Sequence, residues 1–190
     1  AVVVLALAGC ATRPINAPLQ QVDRKSGYRY ETRAERPGND PSTVVMLAFS
    51  GGGMRAAAFS YGVLEELRRT EIDVHGKRIR LIDEVDLITG VSGGSFTALA
   101  YGLYGNKLFD DYEARFLKRD VQGAIISRTL NPANWGKLSS TAWGRSELAA
   151  QLYDEILFNG ATFGDLNRGD GPMILASATD LSTGSRFVFN

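Results

Sequence analysis

The stretch Leu87–Ser95, L-I-T-G-V-S-G-G-S, decides the fold of this chain. An apolar run leads into Gly90-Val91-Ser92-Gly93-Gly94, which fits the pattern G-x-S-x-G. The residues from Phe96 onward predict the start of a helix. A strand, a sharp turn and a helix are the context in which such a serine is lifted clear of the sheet as a nucleophile. A serine in a glycine-rich turn is often only a helix N-cap, so the rest of the chain has to decide between the two roles for Ser92.

A second glycine-rich turn lies upstream of the first. Thr43–Phe49 is continuously apolar and predicts a strand buried on both faces, as in a parallel sheet. Ser50-Gly51-Gly52-Gly53-Met54-Arg55 follows this strand, and Ala56–Leu67 has the apolar spacing of a helix. Pro172–Thr179 predicts a third buried strand. Strands that alternate with helices indicate an α/β domain with a mostly parallel central sheet.

The remaining segments extend this α/β pattern. Thr70–Lys77 is polar, and we expect it to form a surface loop that contains His75. The other predicted elements are a short edge strand or approach segment at Ile79–Asp83, the strand Val85–Gly90, the helices Phe109–Arg119, Val121–Leu130 and Ser146–Phe158 with Ser146 as a possible N-cap, a loop at Asn131–Thr141, and a strand at Arg186–Phe189.

Composition excludes several classes of function. The chain has 190 residues, enough for one domain with a full core, and its 21 basic and 21 acidic residues cancel. The densest basic cluster, Lys77-Arg78-Ile79-Arg80, is more simply a solvated strand edge, so we expect no nucleic-acid partner. A single cysteine excludes an internal disulfide and a cysteine-rich metal site.

The first ten residues, A-V-V-V-L-A-L-A-G-C, resemble the end of a secretory signal peptide. The apolar run is too short for a membrane span of about 20 residues. Leu7-Ala8-Gly9-Cys10 resembles the lipobox of bacterial lipoproteins, in which the cysteine is acylated and becomes the mature N-terminus. An ordinary signal peptide, or a short buried strand with a chance cysteine, is the alternative. Ala11 follows the cysteine in place of Asp, and by resemblance to lipoprotein sorting in Gram-negative bacteria this favours the outer membrane, facing the periplasm.

These observations divide the chain into three predicted regions. We expect residues 1–10 to be a signal-peptide remnant with a lipobox. Residues 11–42 hold four of the six prolines and predict a flexible tether. Residues 43–190 predict the N-terminal part of a folded domain.

The two glycine turns together fit acyl transfer, which requires a nucleophile, a base and donors for the developing oxyanion. Gly51-Gly52-Gly53 offers backbone N–H groups without a Cβ in the way, next to a helix N-terminus. In a parallel sheet both turns lie at the carboxyl ends of strands, on one edge. Ser92 and the glycines can therefore meet, and the N–H of Gly93 would complete an oxyanion hole.

Other interpretations of the motifs fit less well. A Walker P-loop requires a lysine that is missing here, and a dinucleotide-binding turn would need glycine where Ala56 stands. A plain tight turn stays open. The only histidine, His75, precedes Ser92, so the Ser–Asp–His order of an α/β-hydrolase is not met. The chymotrypsin order belongs to an all-β fold, so a serine activated by a carboxylate alone fits better.

The stretches Gly51–Arg55, Gly90–Gly94 and Ala178–Gly184 resemble the patatin-like phospholipase family. The resemblance covers about Thr43 to Asn190. It implies a three-layer α/β/α fold and a Ser–Asp dyad that hydrolyses lipid acyl esters with no metal or organic cofactor. By residue, Ser92 matches the nucleophile, and the oxyanion loop is matched by Gly51, Gly52, Gly53 and Arg55.

One departure concerns the catalytic aspartate, which in the family lies in a D-G-G or D-G-A motif. Asp170-Gly171 is followed by Pro172, and Asp180 lies in a T-D-L segment that is not the dyad. We therefore expect the dyad aspartate beyond Asn190, and residues 1–190 alone to be inactive or nearly so. The expected substrate is a phospholipid or lysophospholipid at a membrane surface. The alternatives are a general carboxylesterase and an inactive lipid-binding or scaffold lipoprotein.

Overall fold

The computed structural model describes residues 20–23, 25–32, 36, 38–140, 143–167 and 171–189. The chain divides into two compact units. The larger comprises Asp23–Leu117 with Ala161–Asn190, and the smaller includes Lys118–Gly160. The predicted signal-peptide remnant and Cys10 lie outside the described residues.

The larger unit is built on a four-stranded, mostly parallel sheet. The described strands are β1 Val45–Phe49, β2 Glu71–Val74, β3 Lys77–Arg80, β4 Val85–Val91, β5 Met173–Thr179 and β6 Arg186–Phe189. The sheet order is β1-β4-β5-β6, with β1, β4 and β5 parallel and β6 antiparallel to β5. Ile88 and Ile174 are paired on the two central strands and are fully buried. The three segments predicted as strands thus form the parallel part of the sheet. The prediction that the first of them is buried on both faces is wrong, because β1 is an edge strand of the described sheet and its Met46 is 65% exposed.

Helices flank this sheet, as the predicted α/β/α architecture requires. The described α-helices are α1 Gly53–Arg69, α2 Gly93–Tyr104, α3 Leu108–Tyr112, α4 Val121–Leu130, α5 Trp135–Leu138, α6 Arg145–Tyr153 and α7 Phe163–Leu166. In the larger unit α1 packs along α2, and α2 packs on β4 and β5. No helix in the described ranges is both long enough and apolar enough to cross a membrane.

The expectation of a polar loop over Thr70–Lys77 is wrong, because β2 and β3 form a separate antiparallel hairpin there. Its two-residue turn is His75-Gly76, with φ of 52° and 79°. Positive φ at both positions is what a type I′ hairpin turn requires. The amide of Gly76 also donates to the Asp73 carboxylate at 2.9 Å. The predicted approach segment at Ile79–Asp83 is split between β3 and a 3-10 turn.

Two helix predictions need correction at their ends. The helices predicted over Phe109–Arg119 and Ser146–Phe158 both change into a π-helix, at Glu113–Leu117 and Asp154–Phe158. The N-cap of α6 is Gly144, whose amide donates to the Glu147 carboxylate at 2.8 Å, so Ser146 lies inside the first turn. The predicted loop at Asn131–Thr141 contains the 3-10 turn Pro132–Asn134 and α5. Helix α4 has the predicted bounds.

Tyr28 lies in the predicted tether and is buried in the larger unit. Its ring packs near Leu166 and Met173 and lies 5.8 Å from the ring of Phe163. Its hydroxyl accepts a hydrogen bond from the amide of Ile174 at 2.7 Å. This part of the segment therefore packs against β5, whereas the flexible tether over residues 11–42 as a whole stays a prediction.

A buried hydroxyl joins α1 to α2. The Thr97 hydroxyl donates to the Ala57 carbonyl at 2.9 Å and lies 2.9 Å from the Tyr112 hydroxyl. A threonine hydroxyl has one proton, so Tyr112 must be the donor in the second bond. Burial raises the pKa of Tyr112, which keeps that donor protonated. The two helices that begin at the glycine turns are thus fixed to each other.

Replacing Thr97 by valine tests this junction. Thr97→Val leaves the buried Tyr112 hydroxyl without its acceptor, which should lower the free energy of unfolding by about 1–3 kcal/mol. Thr97→Ser keeps the hydroxyl and serves as the matched control. Urea unfolding followed by circular dichroism measures both. Equal stability of Thr97→Val and the wild type would show that the bond between the two hydroxyls contributes nothing.

Candidate active site

The two glycine turns lie at the same edge of the sheet. Strands β1 and β4 are parallel neighbours, and their last residues run in register, with Phe49 paired to Gly90. The chain leaves β1 into Gly51–Gly53, which we call the oxyanion loop, and leaves β4 into Ser92. The strand, turn and helix predicted around Ser92 are all present. The sheet topology therefore brings together the two motifs, which stand about 40 residues apart in the sequence.

Ser92 occupies a strained position. Its φ of 49° and ψ of −120° lie outside the regions that an L-residue favours. Strain of this kind persists only where the surrounding structure enforces it, and it is frequent at functional sites. Ser92 precedes α2 as its N-cap residue, but its side chain makes no capping hydrogen bond to that helix. Ser92 is an exposed residue, and its hydroxyl does not serve the N-cap role that the sequence left open.

Glycines on both sides of Ser92 permit this turn. A Cβ added to Gly93 would lie 2.0 Å from the carbonyl oxygen of Gly53. A Cβ on Gly94 would lie 2.7 Å from the Ser50 oxygen, and one on Gly90 would lie 2.7 Å from the Ser95 Cα. Contacts under 3.0 Å essentially never occur for real Cβ atoms. The two glycines of the G-x-S-x-G pattern, and Gly93 at its second variable position, are therefore required by close packing against neighbouring residues.

The oxyanion loop lies directly beside Ser92. A Cβ added to Gly51 would stand 3.4 Å from the Ser92 Cβ. Gly52 and Gly53 have φ of 143° and 60°, which glycine adopts at low cost. Gly53 is the first residue of α1, and Gly93 is the first residue of α2. The unpaired backbone N–H groups of two helix N-termini thus converge near one exposed hydroxyl.

The electrostatics of this region favour negative charge. Each helix N-terminus carries roughly half a positive elementary charge, and the first turns of α1 and α2 contain no acidic residue. Arg55 also lies in the first turn of α1 and is exposed. A cation there is unfavourable for the helix itself, since it repels the dipole. The arrangement can bind an anion or stabilise a developing oxyanion.

The other acids and bases considered in the sequence lie in structural roles. His75, in the β2–β3 turn, pairs with Asp40 at 3.2 Å. Asp180 lies in the turn between β5 and β6, and its carboxylate accepts bonds from the Ser182 hydroxyl and amide. Those hydrogen bonds hold the pKa of Asp180 below its usual range. Asp170 lies outside the described residues.

One positioning residue was missed in the sequence. Asp86 accepts the Val45 amide at 2.8 Å, at the point where the β1–β4 register shifts. The bond ties the start of β1 to β4 and so helps to align the two strand ends. The sequence does mark this position, because Asp86 is the only polar residue in the apolar run from Val85 to Ile88.

A substitution at Gly93 tests the close approach of the two turns. Gly93→Ala forces the Gly53 carbonyl away and should lower the free energy of unfolding by about 1–3 kcal/mol. The matched control is Gly62→Ala within α1, where a Cβ meets nothing within 4 Å. In a helix interior this control should be neutral or stabilising, by up to about 1 kcal/mol. Thermal unfolding measures both, and similar effects of the two substitutions would refute the packing argument.

The comparisons with known proteins agree with this geometry. The family model for patatin-like phospholipase matches residues 47–182, which include both glycine turns and most of the sheet. No match was found among curated proteins or among solved structures. The members of the matched family are lipid acyl hydrolases that act on lipid esters. The match covers well over half of the chain, and the chain therefore belongs to the patatin-like phospholipase family.

Proposed function

We propose that the protein is a serine acyl hydrolase of phospholipids or lysophospholipids, with Ser92 as its nucleophile. The observation that carries the proposal is the exposed Ser92 hydroxyl, which is held at positive φ beside the oxyanion loop and makes no capping bond. The hydroxyl of an N-cap serine would accept a hydrogen bond from a backbone amide in the first turn of its own helix. A serine whose backbone is strained while its side chain is left available fits a nucleophile better.

The proposed reaction has two steps. A carboxylate takes the Ser92 proton while Oγ attacks the acyl carbonyl, and the oxyanion accepts bonds from amides of the oxyanion loop and Gly93. The tetrahedral intermediate collapses as the ester C–O bond breaks, and the leaving alcohol takes the proton from the carboxylic acid. A water molecule, deprotonated by the same carboxylate, then attacks the acyl carbonyl. The bond between Oγ and the acyl carbon breaks, the fatty acid leaves, and the carboxylic acid returns the proton to the Ser92 Oγ.

The base is proposed to be an aspartate of the family's D-G-G or D-G-A type, outside residues 1–190. Asp180 is a poor candidate, since its carboxylate already accepts two bonds within its own turn and its pKa is lowered. A carboxylate is a weak base for a hydroxyl, and so the oxyanion loop must supply much of the stabilisation. Arg55, exposed beside that loop, is proposed to support it or to attract anionic lipid.

The nucleophile is tested by serine replacement in the full-length protein. Ser92→Ala should lower the hydrolysis of short p-nitrophenyl esters by at least about 1000-fold, since nothing else attacks the carbonyl. Ser95→Ala, three residues along, is the matched control and should retain activity. A fluorophosphonate probe should label the wild type and Ser95→Ala but not Ser92→Ala. Activity that survives in Ser92→Ala would exclude this serine as the nucleophile.

Product analysis separates the proposed substrates. Mass spectrometry of a defined diacyl phospholipid after incubation should show a free fatty acid and a lysophospholipid. Hydrolysis of soluble esters without release of fatty acid from any lipid would make the protein a general carboxylesterase. No hydrolysis of either substrate by the full-length protein would favour an inactive lipid-binding or scaffold protein.

We also propose that Cys10 carries the lipid anchor of an outer-membrane lipoprotein that faces the periplasm. The support is the sequence Leu7-Ala8-Gly9-Cys10-Ala11 alone. Each buried methylene contributes about 0.8 kcal/mol, and one acyl chain anchors only marginally. The three chains of a mature lipoprotein cysteine would hold the protein firmly on the bilayer.

The anchor is tested by metabolic labelling with a fatty-acid analogue. Wild-type protein should be labelled and should fractionate with the outer membrane, because the sulfur of Cys10 is the proposed attachment atom for the lipid. Cys10→Ser should lose the label. Ser26→Ala, a substitution in the following segment, is the control and should behave like the wild type. Wild-type protein that is unlabelled and soluble would leave an ordinary secreted protein.

A further inference from the structure

An arginine at the carboxyl edge of the parallel strands is held by a neutral group. Arg186 is the first residue of β6 and is exposed. Its Nε and Nη2 both donate to the hydroxyl oxygen of Ser177 on β5, at 3.1 and 2.9 Å. The carboxylate nearest to it in the sequence, Asp180, is bound by Ser182 instead. Within the described ranges no carboxylate pairs with Arg186, so its charge is not compensated there.

Both side chains of this Arg186–Ser177 pair keep unused hydrogen-bond donors. A guanidinium has five N–H groups in a planar fork, and the contact with Ser177 uses one on Nε and one on Nη2. The edge formed by Nη1 and Nη2 is left for another acceptor. A hydroxyl accepts two bonds and donates one, and for the Ser177 proton no acceptor is found among the residues that the structure describes. An anion with several oxygens can use these donors together.

The Arg186–Ser177 pair lies one strand away from the proposed nucleophile, within the larger unit. Ser177 is the register partner of Val91, the residue before Ser92, so the side chains of Ser177 and Val91 lie on the same face of the sheet. Val91 in turn lies beside the oxyanion loop, with its Cγ1 3.7 Å from a Cβ added to Gly51. Neighbouring strands are about 4.8 Å apart, which puts the guanidinium roughly 10 Å from Ser92.

We propose that Arg186 is a specificity-determining residue that binds the phosphate group of a glycerophospholipid while Ser92 attacks the acyl carbonyl. The inference rests on the proposed function and adds the residue by which the site prefers a phospholipid to a neutral ester. Guanidinium and phosphate form paired, charge-assisted hydrogen bonds. Only a few covalent bonds separate the acyl carbon from the phosphorus of such a lipid, which suits a separation of one strand. The Ser177 hydroxyl orients the guanidinium and donates its own proton to a phosphate oxygen.

Binding of a short-chain phospholipid tests this site without requiring catalysis. Full-length Ser92→Ala protein is titrated calorimetrically with monomeric dihexanoyl phosphatidylcholine, whose net charge is zero, so general charge attraction contributes little. In this background Arg186→Gln should weaken binding at least tenfold, because the phosphate loses its paired donors. Arg78→Gln is the matched control, since it removes the same charge from β3, where Arg78 pairs with Glu71 at 2.7 Å. The control should bind like the Ser92→Ala parent.

Hydrolysis by the full-length protein with Ser92 intact gives a second readout. Arg186→Gln should lower kcat/KM for the short phospholipid at least tenfold relative to kcat/KM for a short p-nitrophenyl ester, chiefly through a higher KM, since that ester has no phosphate. Arg186→Lys keeps the charge without the planar fork and should restore only part of this selectivity. Unchanged selectivity in Arg186→Gln would overturn the proposal. An equal loss on both substrates together with a lower melting temperature would show a structural role instead.

The source of the phosphate is tested by competition. Millimolar inorganic phosphate should displace the short phospholipid only weakly, because it lacks the acyl chains that bind beside Ser92. Complete displacement would make the Arg186–Ser177 pair a site for free phosphate and would overturn its assignment to the substrate.

Failure of this site and failure of the proposed function give different results. Phospholipid binding that depends on Arg186, in a full-length protein that hydrolyses no ester, would leave the phosphate site intact and exclude only the hydrolase. Phospholipid hydrolysis that depends on Ser92 but is unchanged in Arg186→Gln would leave the hydrolase intact and exclude the phosphate site.

Discussion

The structure of the candidate site depends on one steric constraint, the absence of a side chain at Gly93. Any Cβ there would lie 2.0 Å from the Gly53 carbonyl oxygen. Because no side chain separates Gly93 from Gly53, the turn after β4 lies directly against the turn after β1. The two helices then begin side by side, and Ser92 is held at φ 49° between them. A strained serine in contact with a glycine loop follows from backbone packing, and the hydroxyl is left available.

Two polar contacts fix the elements that meet at this point. At the start of the strands, Asp86 holds the Val45 amide where the register shifts. Behind the turns, the Thr97 hydroxyl joins the Ala57 carbonyl of α1 to Tyr112. The Thr97 contact is buried, and leaving a buried polar group without its partner is costly. This contact therefore sets the relative position of α1 and α2, on which the geometry of the oxyanion loop depends.

The parallel sheet and the meeting of the two turns were predictable because each left a strong local pattern. Continuous apolar runs followed by glycines define β1 and β4, and the rule for parallel strands puts their ends on one edge. The β2–β3 hairpin was missed because its turn is His75-Gly76, with histidine in place of the usual asparagine or aspartate. The packing of Tyr28 on β5 was also not predictable from the sequence. Tyr28 lies in a proline-rich segment, and its partner Ile174 follows 146 residues later in the chain. Long-range contacts of this kind leave no periodicity.

The weakness of the proposed base would give the glycines a role besides packing. A carboxylate has a pKa near 4 in water, far from that of a serine hydroxyl, so the serine proton is not removed in advance of attack. The free energy must come from stabilising the oxyanion as it forms, and preorganised amides do this without reorganisation. Amides of two adjacent helix N-termini are suited to that task, provided that no side chain separates them from the substrate carbonyl. In the proposed hydrolase, catalysis would therefore depend more on the backbone than on side chains, and the glycines that packing requires where the two turns touch would also leave the amides open to a substrate.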